Sequence, residues 1–118
     1  RQDDRVELVL GSGGSNRLRS AILQAVVQLV DLERGPAAGV AAARMHVEGG
    51  RWNVETHTLA PAHVAALATR AARHGGVLAP WPEPSLFFGG VHAVTRSADG
   101  ELRGGADPRR EGAVAIVE

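Results

Sequence analysis

The chain contains no cysteine, no tyrosine and no lysine. Without cysteine there is no disulfide, no zinc–thiolate site and no thiol nucleophile. Without tyrosine there is no phenolic acid or base, and without lysine there is no amine for Schiff-base chemistry. An excess of either charge is also missing. Thirteen basic residues, all of them arginine, face thirteen acidic ones, so the basic surplus that displaces counterions from nucleic acid is not there. No apolar run approaches the roughly 18 residues of a membrane span. The opening Arg1-Gln2-Asp3-Asp4-Arg5 does not read as a signal peptide, which leaves a periplasmic, secreted or cytoplasmic location open. The 44% of hydrophobic residues supports a core, and 118 residues suffice for one domain segment spanning 1–118. Arginine as the sole long cation, with abundant Ala, Gly and Val, fits a GC-rich bacterial genome.

Val6 to Leu10 reads as a strand, followed by a tight connection over Gly11-Ser12-Gly13-Gly14. From Asn16 to about Glu33, Leu18, Ile22, Ala25, Val26, Leu29 and Val30 keep helical spacing. Ser15 or Asn16 is placed to cap that helix, and Arg34-Gly35-Pro36 to end it. A short helix is expected over Ala38 to Arg44, where Gly39 costs roughly 1 kcal/mol relative to Ala. Met45–Glu48 and Trp52–Glu55 alternate around Gly49-Gly50 and predict a hairpin. Pro61 to Arg73 predicts a second helix, with its proline in the first turn. The three prolines within 79–85 predict a loop. Phe87 to Thr95 predicts a strand, with Gly89-Gly90 marking a bulge or close backbone approach. Asp99-Gly100 predicts a turn, Glu101-Leu102-Arg103 a return, and Ala113 to Val117 a last strand. This order gives a layered α+β fold.

Strand, glycine turn and helix together favour an anion or a developing oxyanion, through backbone amides and the positive end of the helix dipole. A dinucleotide fingerprint fails, because Asn16 stands where the third glycine belongs and no acidic residue ends a second strand. A phosphate-binding loop of the G-x-x-x-x-G-K type fails for want of lysine. Two readings of the residues remain: close strand–helix packing, or a small-anion or nucleotide module.

The segment Leu10-Gly11-Ser12-Gly13-Gly14-Ser15-Asn16-Arg17-Leu18 resembles, without a gap, the G-S-P-G-G-S-R loop of the gamma-glutamyltransferase family. The likeness continues through the following helix, Ala43-Arg44-Met45-His46, Phe88-Gly89-Gly90-Val91-His92-Ala93-Val94 and Gly105-Ala106-Asp107-Pro108-Arg109-Arg110. The resemblance implies the C-terminal part of the small catalytic subunit, within the αββα sandwich of an N-terminal-nucleophile hydrolase. It also implies a precursor that cleaves itself, a Thr whose own amine is the base, and an acyl-Thr ester formed from a gamma-glutamyl amide. The family's oxyanion amides fall on Gly14 and Ser15, with Gly13 in place of the family's Pro as a further substrate-binding position. Ser at the second place bears on substrate preference, and a related acylase acting on another amide, such as a beta-lactam side chain, is equally compatible.

The family's nucleophile, amine-binding acids and carboxylate-binding serines all lie upstream of the loop. Thr56, Thr58, Thr69 and Thr95 match none of these motifs. The chain alone is therefore expected to be inactive, and its partner is the rest of the precursor: the large subunit and the N-terminal part of the small one. His46, His57, His63, His74 and His92 lack a metal-ligand spacing, so neither metal nor cofactor is expected. His92 reads as a structural histidine within its strand. Trp52, Trp81, Phe87 and Phe88 read as packing. Asp107-Pro108-Arg109-Arg110 is either a solvated loop or a buried ion pair holding two subunits together.

Overall fold

The computed structural model describes residues 7–14 and 16–117. Among these, six strands and three α-helices alternate in an α+β arrangement: β1 (Leu8–Gly13), α1 (Leu18–Val26), α2 (Pro36–Ala41), β2 (Met45–Glu48), β3 (Arg51–Glu55), α3 (Pro61–Arg73), β4 (Val77–Trp81), β5 (Gly90–Arg96) and β6 (Leu102–Gly105). The strands form two three-stranded sheets, ordered β1-β5-β6 and β2-β3-β4. The first is antiparallel throughout, with Leu8 opposite Thr95 and Gly13 opposite Gly90. In the second, β2 and β3 form the hairpin expected from the sequence. Gly49 and Gly50 both carry positive φ (55° and 77°), as a two-residue turn matched to strand twist requires. The chain then crosses through α3, and β4 runs parallel to β3.

The core lies where α1 and α2 cover one face of the β1-β5-β6 sheet. Strand alternation sends Val91 and Ala93 inward, against Ala21 and Ala25 of α1 and Val40 of α2, with Leu8, Leu10 and Leu29 beside them. Small residues set the distances. A Cβ at Gly39 would stand 2.5 Å from Leu29 Cδ2, so the helix-weakening glycine is what lets α2 reach the end of α1. Gly105 lies so close to the Pro36 carbonyl that no side chain fits there. The opposite face of the sheet stays open: Val9 and Val94, paired across the strands, are 60% and 48% exposed.

Several boundaries differ from the sequence reading. Strand β1 continues through Gly11, Ser12 and Gly13, so only Gly14 turns. Val6 lies outside the described residues. The first helix is α-helical to Val26, then widens into one turn with longer hydrogen bonds over Val27–Asp31, Leu32 N–H reaching Val27 O at 3.0 Å. The cap position falls on Arg17 and not on Asn16, and the Arg17 side chain makes no capping hydrogen bond; Ser15, the other expected cap, lies outside the described residues. Helix α2 starts at Pro36, which opens it as well as closing the previous helix. Residues 79–81, expected in a loop, belong to β4. Pro80 is tolerated because β4 is an edge strand among the described residues. Phe87 and Phe88 form a tight turn, Leu86–Phe88, and β5 begins only after Gly89, whose φ is +75°. The return after Asp99-Gly100 forms as β6. Ala113 to Val117 is not a strand. It finds no ladder partner among the described residues, and Val114 instead lies over Gly104.

Gly105→Ala should lower stability by about 1–3 kcal/mol, because the added methyl must push α2 off the sheet. Gly11→Ala, with open space around its missing Cβ, should stay within about 0.5 kcal/mol. Urea denaturation of the two variants side by side measures the difference.

Candidate functional site

At the end of β1 the chain leaves the sheet and turns toward the N-terminus of α1. Gly14 carries φ +152°, a conformation that side chains disfavour, and is exposed. No hydrogen bond holds its amide among the described residues. Gly13 and Gly14 are thus adjacent at the mouth of the turn. Ser15, the other expected oxyanion position, lies outside the described residues.

Two guanidiniums flank this turn. Arg110 donates from Nη2 to the Gly13 carbonyl at 2.5 Å. Arg17 donates from Nε to the Phe87 carbonyl at 2.6 Å, and its guanidinium carbon sits 4.0 Å from the Phe87 ring centre. Gly14, Arg17, Leu18, Phe87 and Arg110 help line a cavity of about 290 Å³. Two cations and the start of α1 make it locally positive. Phe87 is fixed in turn by stacking on Trp81 at 4.7 Å and by edge contact with buried Phe88 at 5.0 Å, the packing role expected of these aromatics.

Arg110 is delivered there by a buried cluster of four charges. Asp107 and Glu55 are fully buried, and the side chains of Arg44 and Arg109 almost so. Each carboxylate oxygen accepts two bonds. Glu55 Oε1 takes Arg109 Nε (2.8 Å) and the Ser85 amide (3.0 Å). Glu55 Oε2 takes Arg109 Nη2 and the Arg44 amide. Asp107 Oδ1 takes the Arg109 amide (2.9 Å) and Nη1 (3.2 Å). Asp107 Oδ2 takes Arg44 Nη2 (2.6 Å) and the Val91 amide (2.8 Å). Four further guanidinium N–H groups donate to the carbonyls of Val40, Ala42 and Gly89. Two of those carbonyls belong to the end of α2, where a helix leaves them unpaired. The cluster therefore joins α2, the entry to β2, the end of β3, the start of β5 and the tight turn Pro108–Arg110.

Burial alone would raise the Asp107 carboxyl pKa, but the Val91 and Arg109 amides and the Arg44 guanidinium outweigh it and hold it below the ordinary carboxylate range. Burial, followed by repulsion from Arg109, lowers Arg44 despite Asp107 and Glu55. For Arg109 the carboxylates win over burial, and its pKa is raised. Of the two readings of residues 107–110, the buried ion pair is the one present. Its partners are in this same chain, so it joins the two sheets of the segment. Arg44 and Glu55 were missed from sequence. A lone arginine after Ala41-Ala42-Ala43 and a glutamate closing a buried strand were the available signals.

Other clusters carry less. Ser20 Oγ lies 2.9 Å from His46 Nδ1, and His46 Nε2 lies 3.6 Å from exposed Glu48. The residue types match a nucleophile–base–acid relay, but the main cavities do not reach Ser20. With Gln24 bonded to the backbone of Ser20 and Met45, the group ties α1 to β2. A larger groove of about 840 Å³ runs along α3 between His63 and His74. One helix supplies its whole lining, and its hydroxyl, Thr69 Oγ1, donates to the Ala65 carbonyl, so chemistry is better sought at the glycine turn. His92 is exposed on β5, and its Nδ1 accepts from the Asp107 amide at 3.3 Å, a structural contact as expected.

Comparison with known proteins places residues 1–117 on the family model described as gamma-glutamyltranspeptidase. The chain is 32% identical over 116 residues to the acylase ACY 1 proenzyme of Pseudomonas sp. (strain SE83), covering 98% of this chain and 19% of that protein. It superposes on the gamma-glutamyltranspeptidase from Pseudomonas nitroreducens complexed with L-DON with a TM-score of 0.77 at 23% identity, covering 100% of this chain and 59% of that one. It matches the cephalosporin acylase from Bacillus halodurans with a TM-score of 0.73 at 25% identity, covering 92% of this chain and 20% of that one. The chain thus spans less than two thirds of each of these relatives' lengths.

Arg109→Leu should leave Glu55 buried without its cation and cost about 3–5 kcal/mol, read as a lowered denaturation midpoint. Because Asp107 keeps its charge to unusually low pH when folded, its contribution is fully present above a pH of about 4. That contribution is lost as pH falls through the folded-state value. Stability measured from pH 6 to 2 should show that acid-side slope, and Asp107→Asn should flatten it.

Proposed function

Because the chain belongs to the gamma-glutamyltranspeptidase family, we propose that it is the C-terminal portion of the small catalytic subunit of an N-terminal-nucleophile enzyme that cleaves gamma-glutamyl amides. The N-terminal Thr lies in the rest of the precursor, attacks the amide carbonyl with its own amine as base, and forms an ester that water or an acceptor amine resolves. This segment contributes the oxyanion donors, the amides of Gly14 and Ser15, with Gly13 beside the substrate. The observation that carries this reading is the Gly14 amide, unbonded among the described residues at a positively charged strand-to-helix turn. The rest of the precursor is also the partner of the open face bearing Val9 and Val94, whose exposure leaves apolar surface to be covered.

A second reading has its own support. The 32% identity is to an acylase proenzyme, which favours a related acylase acting on another amide, such as a beta-lactam side chain.

The test is expression of the full-length precursor, with turnover of a chromogenic gamma-glutamyl anilide set against release of a glutaryl side chain from a beta-lactam. At least tenfold higher kcat/KM for the anilide is expected. The reverse preference selects the acylase reading, and processed protein that turns over neither sinks both. Replacing Gly14 by glycolate, which turns the Gly13–Gly14 amide into an ester and removes the N–H without restricting φ, should slow acylation by roughly 10²–10³-fold, with circular dichroism confirming that the fold persists.

A further inference from the structure

We propose that Arg110 is a positioning residue that aims the Gly14 amide, and that Gly90 is the slot through which it reaches. The inference rests on the reading of Gly14 as an oxyanion donor. A peptide unit is planar, and in a trans unit its C=O and N–H point in opposite directions. The described residues contain no cis peptide, so the Gly13 carbonyl and the Gly14 N–H are two ends of one rigid plate. A donor that fixes the oxygen fixes the direction of the hydrogen.

Arg110 Nη2 is that donor, 2.5 Å from the Gly13 oxygen. Gly13 is the last residue of β1, so past it the sheet ladder no longer constrains the chain. The guanidinium is the final fixed contact before the turn. Its charge adds a second effect, since a cation on the oxygen draws density from the peptide and makes the N–H a stronger donor.

The approach is built rather than incidental. A Cβ at Gly90 would stand 2.5 Å from Arg110 Cδ and 2.6 Å from Cγ, so the arginine stem lies flat over a residue that has no side chain. The turn Pro108–Arg110 is held by the Asp107 carboxylate, which caps the Arg109 amide, and by buried Arg109. A surface arginine is normally free to swing. This one leaves a backbone anchored in the protein interior.

The experiment uses the processed full-length enzyme and the better of the two amide substrates above. Arg110→Ala should lower kcat by about 10–100-fold, less than outright loss of a donor, with KM within about threefold. Arg110→Lys should recover part of the loss, because an ammonium can still donate to the Gly13 oxygen. Gly90→Ala should reproduce the Arg110→Ala defect by displacing the stem, and the double variant should add nothing further, the signature of two residues acting through one contact. Thermal melting of each variant separates misfolding from misalignment. An unchanged kcat in Arg110→Ala while the ester at Gly14 slows acylation would overturn this inference and leave the oxyanion reading standing. A raised KM at constant kcat would also overturn it, making Arg110 a ground-state substrate contact. Full turnover in the folded ester variant overturns the reading beneath it as well.

Discussion

The four buried charges of Arg44, Glu55, Asp107 and Arg109 are the constraint on which this segment depends. Hydrophobic packing alone leaves it loosely specified: its core is largely alanine and valine, small side chains that hold helices close but fix little register. The charge cluster supplies what the core lacks. Two cations and two anions cancel, and every carboxylate oxygen is doubly satisfied. Buried ion pairs of this kind add little net stability over apolar residues of equal volume. What this cluster adds is placement, since it brings residues 40–55, 85–91 and 107–110 to one point.

From that point the candidate site follows in two short steps. The cluster fixes the tight turn after Asp107, and the turn carries Arg110 across Gly90 to the end of β1. On the far side, Arg17 is clamped to the carbonyl and ring of Phe87, which Trp81 and Phe88 hold. The glycine turn thus lies between two arginines supported from different parts of the chain. The complete absence of lysine fits this: both cluster arginines donate in several directions at once, which a single ammonium cannot do.

Much of this was legible in the sequence. Helical spacing located α1 and α3, and the double glycine gave the hairpin. The segment 107–110 reads equally as a solvated loop or as an ion pair between subunits, and the structure holds the pair within this one chain. The misses have physical causes. Prolines hid β4, because a parallel edge strand paired through β3 can carry them and composition does not reveal which edge is free. Glycines hid the last three residues of β1, where the register with β5 overrides their weak strand preference. The aliphatic run 113–117 looked like a strand because propensity knows nothing of whether a partner edge is available. At the site, the glycines could be read but their supports could not. Arg44 lies 63 residues from Asp107 and Glu55 lies 54 from Arg109, distances that no local pattern spans.

Those separations also bear on synthesis. A ribosome releases Arg44 and Glu55 well before it releases Asp107 and Arg109, and until then Glu55 lacks the two guanidinium bonds of Arg109, and Arg44 lacks its bond to Asp107. Burying them with those bonds unmade costs more than burying them in the finished cluster. Half of the cluster is thus completed only by the last dozen residues of the chain, and the contacts that join residues 40–55 to 85–91 wait on them.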